Sequence, residues 1–336
     1  MSKTILVTGP DLDARAAQFV ADRGYQTVHT PAYADSDVIS THLKETGAVG
    51  VVSRMGRLDA SVMDDAPQLR VISKHGVGVD NIDLKAAADR DIPVLVATGA
   101  NAVSVAEHAI ALLLTAVKRV LPLDESLRAG RWEKAGFQGR EIAGSTLGLL
   151  GMGSIAQATA RIAKGLGLNV IAHDPYAKDD VFEALGVRRC EALGELLRES
   201  HFLSLHCPLT DQTREIINAD AIAQMPKGGY VINTARGGLI DERALLEAIQ
   251  SEHLAGAGLD SFAVEPPAAD HPFWKEPRIV VTPHIGGVTH EAGGRVGVEA
   301  VRGIFQILDN EPIAVQRIAN RALLSDAAMP KLKGEE

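Results

Sequence analysis

Thr146-Leu147-Gly148-Leu149-Leu150-Gly151-Met152-Gly153-Ser154-Ile155-Ala156 is the stretch on which the fold turns. A short apolar run, a Gly-x-Gly turn and a helical pattern over 154–166 read as strand, tight turn and helix. Gly151 permits the turn, Gly153 lets backbone approach a pyrophosphate, and Ala156 is the small residue that close helix–strand packing needs. The helix start then offers unpaired N–H groups and a positive dipole end to phosphates. A glycine pair alone is weak evidence, because Gly76-Val77-Gly78, Gly165-Leu166-Gly167 and Gly256-Ala257-Gly258 also occur. Asp174 raises the first one: it lies 21 residues past Gly153, after the next strand, where a carboxylate can bind both ribose hydroxyls. The plain alternative is a strand–turn–helix followed by an acidic residue. A carboxylate there also repels a 2′-phosphate, and Pro175-Tyr176-Ala177 bring no arginine, so the pattern favours NAD over NADP. Lys178 is the next basic residue.

Outward from this motif, short β-branched runs alternate with helical patterns. Residues 3–8, 26–30, 50–52, 71–74 and 93–95 read as strands, with helices at 13–23, 35–44, 60–64 and 84–90. A second series has strands at 146–150, 169–173, 202–205, 230–233, 255–259 and 279–282, with helices at 154–166, 193–199, 221–224 and 242–251. Such alternation predicts parallel sheets with crossover helices. Between the series, 101–120 reads as a helix apolar on almost every side and therefore buried all round, followed by a polar arm, 121–143, carrying Trp132 and Phe137. A last helix at 291–308 has no strand after it, and the tail from Ser325 reads as mobile.

The chain has 336 residues, 46% hydrophobic and 23% charged, which suggests two domains at about 100–200 residues each. A net charge of −9 argues against broad nucleic-acid binding, which needs a basic footprint. Cys190 and Cys207 are too few for a disulfide framework or a zinc site, and no metal is expected. The start of the chain lacks a signal-peptide pattern, and the longest apolar stretch, 109–117, is shorter than the ~18 residues of a membrane span. The expectation is a reduced cytoplasmic protein.

Three polar segments follow strands of the second series: Asn233-Thr234-Ala235-Arg236-Gly237-Gly238, Asp260-Ser261-Phe262-Ala263-Val264-Glu265-Pro266 and Pro283-His284-Ile285-Gly286-Gly287. In open α/β sheets, ligands bind at the carboxyl ends of strands, so an arginine, a carboxylate and a histidine could converge there. Singly, each has a bland reading as a turn charge, a loop residue or a structural histidine. Together with Gly76-Val77-Gly78-Val79-Asp80-Asn81-Ile82-Asp83 and the glycine turn, the chain up to about Ile313 resembles the D-isomer-specific 2-hydroxyacid dehydrogenase family.

The resemblance implies an α/β chain of two doubly wound parallel-sheet domains. A Rossmann NAD-binding domain, 101–288, is inserted into a flavodoxin-like substrate (catalytic) domain made of 1–100 and 289–336. It implies hydride transfer between NAD(H) and C2 of a D-2-hydroxy acid or 2-keto acid. His284 would be the acid/base, an imidazole having an ordinary pKa near ~6.5. Glu265 would orient it, and Arg236 would grip the substrate carboxylate, joined by the amides of Val77 and Gly78. Cofactor contacts would come from Gly151, Gly153, Ser154, Ile155, Asp174, Cys207, Pro208, Thr234, Ala235, Asp260, His284, Gly286 and Gly287, with Asp260 receiving the carboxamide N–H. Phosphoglycerate-type members carry Val-Arg-Ser where this chain has Val52-Ser53-Arg54, which shifts Arg54 as a substrate-binding residue by one position. The pattern implies a small anionic substrate, no nucleic-acid or membrane partner, no regulatory domain of the serine-pathway type, and a homodimer built on the 101–120 helix and its arm. The competing function is an NAD(H)-sensing binding protein of the corepressor type on the same fold.

Overall fold

The structure is a computed structural model that describes residues 3–332. The chain divides into two units, one containing the residues up to Asn101 and those from Thr289, the other spanning Ala102–Val288.

The first unit runs β1 (Thr4–Thr8), α1 (Ala14–Ala21), β2 (Gln26–Thr30), α2 (Ser36–Thr46), β3 (Gly50–Ser53), α3 (Ala60–Asp64), β4 (Val71–Lys74), α4 (Leu84–Ala88) and β5 (Val94–Val96). Each helix starts on an aspartate, Asp13, Asp35, Asp59 or Asp83, whose carboxylate accepts an N–H of the first turn. The sheet is wholly parallel in the order β2-β1-β3-β4-β5, the flavodoxin-like winding.

The second unit opens with α5 (Ala102–Lys118) and α6 (Val120–Arg128). It continues β6 (Thr146–Leu150), α7 (Ser154–Gly165), β7 (Asn169–His173), α8 (Asp179–Leu185), β8 (Arg188–Arg189), α9 (Leu193–Glu199), β9 (Phe202–Leu205) and α10 (Ala219–Ala223). It closes with β10 (Gly229–Asn233), α11 (Glu242–Gln250), β11 (Leu254–Leu259) and β12 (Ile279–Val281). Its parallel sheet, β12-β11-β10-β9-β6-β7-β8, reverses direction between β6 and β9, the Rossmann switch point. Leu203 and Val231 face one core layer while Phe202 and Ile232 face the other, so the strands are buried on both sides, as parallel sheets require. The last helix, α12 (His290–Leu308), belongs to the first unit, where Ala300, Val301 and Ile304 join its core.

The structure departs from the sequence expectations in several places. The helix predicted over 101–120 ends at Lys118, because Arg119 adopts a left-handed φ of 53°. It is not buried all round: Val103, Glu107, Ala111 and Lys118 form an exposed stripe, while the opposite face packs on α7 and β10–β12. The polar arm begins as α6, with Pro122 tolerated in its first turn. A seven-residue helix and a two-residue strand, α8 and β8, were not expected from the sequence. Finally, the described part of the tail is tied down, Ser325 Oγ donating to Asp91 and Ile313 N–H to Lys331 O; residues 333–336 lie outside the described residues.

Candidate active site

At the switch point, Gly151 takes a φ of +102°, and a Cβ there would lie 2.9 Å from the His206 carbonyl. Glycine therefore serves twice, for the left-handed backbone and for close approach to the end of β9. Gly153 occupies the N-cap of α7 and has no side chain with which to cap it, and a Cβ added there would meet nothing within 4 Å. An uncapped helix start facing open space suits a pyrophosphate. Ser154 is exposed and Ile155 part-buried in the first turn.

Asp174 is more engaged than its spacing suggests. Its Oδ2 accepts Met152 N–H at 2.8 Å, and its Oδ1 accepts Tyr176 and Ala177 N–H at 2.9 and 3.2 Å. A carboxylate offers about four acceptor positions, so one remains, on Oδ2. Receiving both ribose hydroxyls requires a main-chain bond to yield. Across the switch point, burial pushes the Cys207 thiol up to about 11, so it stays a neutral, inert sulfur beside exposed Pro208.

The three catalytic-type segments leave neighbouring strands β10, β11 and β12 of one sheet. After β10, buried Asn233 shapes the turn: its Oδ1 accepts Ala235 N–H at 2.9 Å and its Nδ2 donates to Arg236 O at 2.8 Å. Arg236 itself donates from Nη1 to Ala235 O at 2.7 Å. Gly237 comes next and presses on the β11 segment: a Cβ would fall 1.8 Å from the Phe262 carbonyl carbon. Two side-chain hydroxyls here, Thr234 Oγ1 and Ser261 Oγ, are buried without a hydrogen-bond partner. A native structure rarely leaves such groups unmet, and the polar end of a nicotinamide is of a kind to meet them.

After β12, His284 holds a φ of +54°, a left-handed conformation that costs a β-carbon residue about 1–2 kcal/mol. Asp260 holds the loop in place. Its Oδ1 accepts Thr282 Oγ1 at 2.5 Å and Ile285 N–H at 2.9 Å, and its Oδ2 accepts Gly286 N–H at 2.8 Å. His108, on α5, bonds Thr282 at 2.8 Å and lies 3.3 Å from Asp260. Burial alone would raise the Asp260 carboxyl, yet these donors outweigh it and hold the pKa below the ordinary value. Gly287 completes the loop, part-buried.

His284 Nδ1 and Glu265 Oε2 are 2.7 Å apart, and Glu265 Oε1 accepts Phe262 N–H at 3.0 Å. Partial burial pushes Glu265 upward, but the bonds from His284 and Phe262, helped by the charges of His284 and Arg236, bring it below the usual carboxylate range. Facing a carboxylate, Nδ1 carries the ring proton, which leaves Nε2 to give or take one. An imidazole acid/base and an adjoining guanidinium can together handle a carbonyl next to a carboxylate.

In the first unit, Val77 and Gly78 lie in the bend after β4, where Gly76 takes a φ of +142°. Arg54 spends two bonds from Nη1 on the Pro10 and Asp11 carbonyls, at 2.6 and 2.8 Å. Asn233 and Gly237 fall in a polar segment and Thr282 at a strand end, but the sequence assigns none of them a role and does not single out His108. Asn233 carried a local signal, a buried amide at a strand end. His108 carried none, since Asp260 lies on a different element far along the chain.

Residues 110–286 match the family model for the NAD binding domain of D-isomer specific 2-hydroxyacid dehydrogenase. The hydroxypyruvate reductase of Thermotoga maritima is 40% identical over 299 residues, covering 88% of this chain and 96% of that protein. The D-3-phosphoglycerate dehydrogenase of Methanocaldococcus jannaschii is 38% identical over 284 residues, 84% of this chain. The match takes in only 54% of that enzyme, so this chain spans about half the length of such relatives. Among solved structures, the TT0316 protein of Thermus thermophilus superposes with a TM-score of 0.83 at 36% identity, covering 92% of this chain and 97% of its own.

Proposed function

The chain belongs to the D-isomer-specific 2-hydroxyacid dehydrogenase family, and on that premise we propose that it is an NAD-dependent oxidoreductase acting at C2 of small D-2-hydroxy acids and their 2-keto acids. The observation that carries this is the 2.7 Å His284–Glu265 pair on the strand end beside Arg236. When bound, the nicotinamide supplies or accepts the hydride. In reduction, His284 gives a proton from Nε2 to the substrate carbonyl oxygen, while Glu265 keeps the ring oriented and offsets its charge. In oxidation the same nitrogen takes the hydroxyl proton. Arg236 binds the carboxylate of the acid, a planar fork against a planar anion.

The substrate in this reading carries no phosphate. Support comes from Arg54, whose Nη1 is committed to main-chain carbonyls, and from a relative named hydroxypyruvate reductase. The enzyme acts in the cytoplasm, in keeping with two free thiols. It works as a homodimer, for which the exposed apolar side chains of 120–137, Leu127 at 57% and Trp132 at 76% among them, would form part of the contact.

The test is NADH oxidation with glyoxylate, hydroxypyruvate and phosphohydroxypyruvate. Turnover with the first two, collapsing in His284→Gln while NADH still binds, is the expected outcome. Unchanged turnover in that variant refutes the mechanism. Tight NADH binding with no turnover of any acid refutes the function in favour of an NAD(H) sensor.

A further inference from the structure

Two successive amides of the turn after β11 are taken by two carboxylates. Phe262 N–H goes to Glu265, and Ala263 N–H goes to Glu242 Oε1 at 2.9 Å. Glu242 is the first residue of α11, a helix that Asp241 already caps, so helix termination does not need its side chain. Its other oxygen lies 3.3 Å from His271 Nε2. His271 Nδ1 accepts the Phe273 N–H at 3.4 Å, so the ring proton sits on Nε2 and points at Glu242. The His271 ring is packed by Phe262, Phe273 and Trp274, at centroid distances of 5.8, 4.7 and 5.2 Å.

We infer that Glu242 is a positioning residue for the Glu265–His284 pair, acting through Ala263 and His271. This rests on the function proposed above only in what the pair does, not in how it is held. The argument is one of connectivity. Glu265 sits on a surface turn, part-exposed; besides its bond to His284 it takes a backbone bond from Phe262, which orients the carboxylate relative to the turn. That amide is fixed only as well as the next peptide, which Glu242 ties to α11, while His271 ties the far side of the turn to the same carboxylate. The charged and titratable groups around the turn include Asp260, Glu265, His284 and Arg236 on one side and Glu242 and His271 on the other. Loosening Glu242 leaves the acid/base in place but lets its orienting carboxylate wander.

The experiment compares Glu242→Ala and Glu242→Gln in the wild-type and Glu265→Gln backgrounds, by keto-acid reduction and by the downfield ¹H NMR signal of the His284 Nδ1 proton. In Glu242→Ala, kcat should fall about tenfold, a fraction of the loss expected when a catalytic group is misplaced by 1 Å. KM for NADH should stay within about twofold, and the Nδ1 signal should broaden or vanish. In the Glu265→Gln background the same change should cost less than about twofold, because the two residues act on one coupling. Glu242→Gln keeps an acceptor for Ala263 but meets the His271 N–H with an amide, so it should give a smaller loss; it also covers the case in which the alanine variant does not fold. An Nδ1 signal unchanged in both variants, or losses that multiply across the two backgrounds, overturns the inference. If no keto acid is reduced but the signal still depends on Glu242, the proposed activity fails and the positioning role stands.

Discussion

Replacing Gly237 by alanine inserts one carbon where two backbone segments meet. The added Cβ would lie 1.8 Å from the Phe262 carbonyl carbon, 2.2 Å from its oxygen and 2.3 Å from Ala263 N. These are main-chain atoms and cannot swing aside. Ordinary contact begins at 3.4 Å, so the turn after β10 and the turn after β11 must part by about 1.6 Å. That movement carries Arg236 away from Glu265 and His284. A misplacement of about 1 Å costs about 100-fold in rate, so kcat/KM for keto-acid reduction should drop at least that far. Overpacking should also lower stability by about 1–3 kcal/mol. The matched control is Gly165→Ala at the end of α7, where a Cβ meets nothing within 4 Å, and this variant should keep full activity. Initial rates of NADH oxidation and thermal melts on both proteins decide the matter. A Gly237→Ala enzyme within about threefold of wild type would refute the reasoning, since overpacking of this size cannot leave the geometry in place.

Two more outcomes follow from buried and half-buried charges. Asp174→Ala should raise kcat/KM with NADPH relative to NADH, because the carboxylate repels a 2′-phosphate; an unchanged ratio would show that Asp174 serves only the main-chain bonds it makes to Met152, Tyr176 and Ala177. Burial lowers His75 and His206 to about 4 each, so both stay neutral in the fold while the unfolded chain protonates them near ~6.5. Stability is therefore intact above about 6.5, declines as the pH falls toward about 4 and levels off below that. Urea titrations of His206→Gln should show a shallower decline over this window, and an identical slope would rule out His206 as a source of it.

Much of this protein was legible in the chain itself. Strand–helix alternation, the glycine turn at 151–153 and the three polar segments after strands follow from local periodicity and turn chemistry, which neighbouring residues determine among themselves. The side chains that read as catalytic, Arg236, Glu265 and His284, were visible because each follows a strand, and strand ends of a parallel sheet converge. The exposed stripe on α5 was misread for a related reason: Val103 and Ala111 are apolar, but apolarity does not say which face a neighbour covers. What the chain could not disclose is what holds those residues still. That Asn233 builds the Arg236 turn, that Asp260 with Thr282 and His108 restrains the left-handed His284, and that Gly237 must lack a Cβ all depend on strands β10, β11 and β12 lying side by side. Those contacts join residues distant in the chain, and hydrogen-bond partners at such separation leave no periodic trace in sequence. Sequence picked out which groups are candidates for the chemistry; only the sheet order decided how they are oriented and restrained.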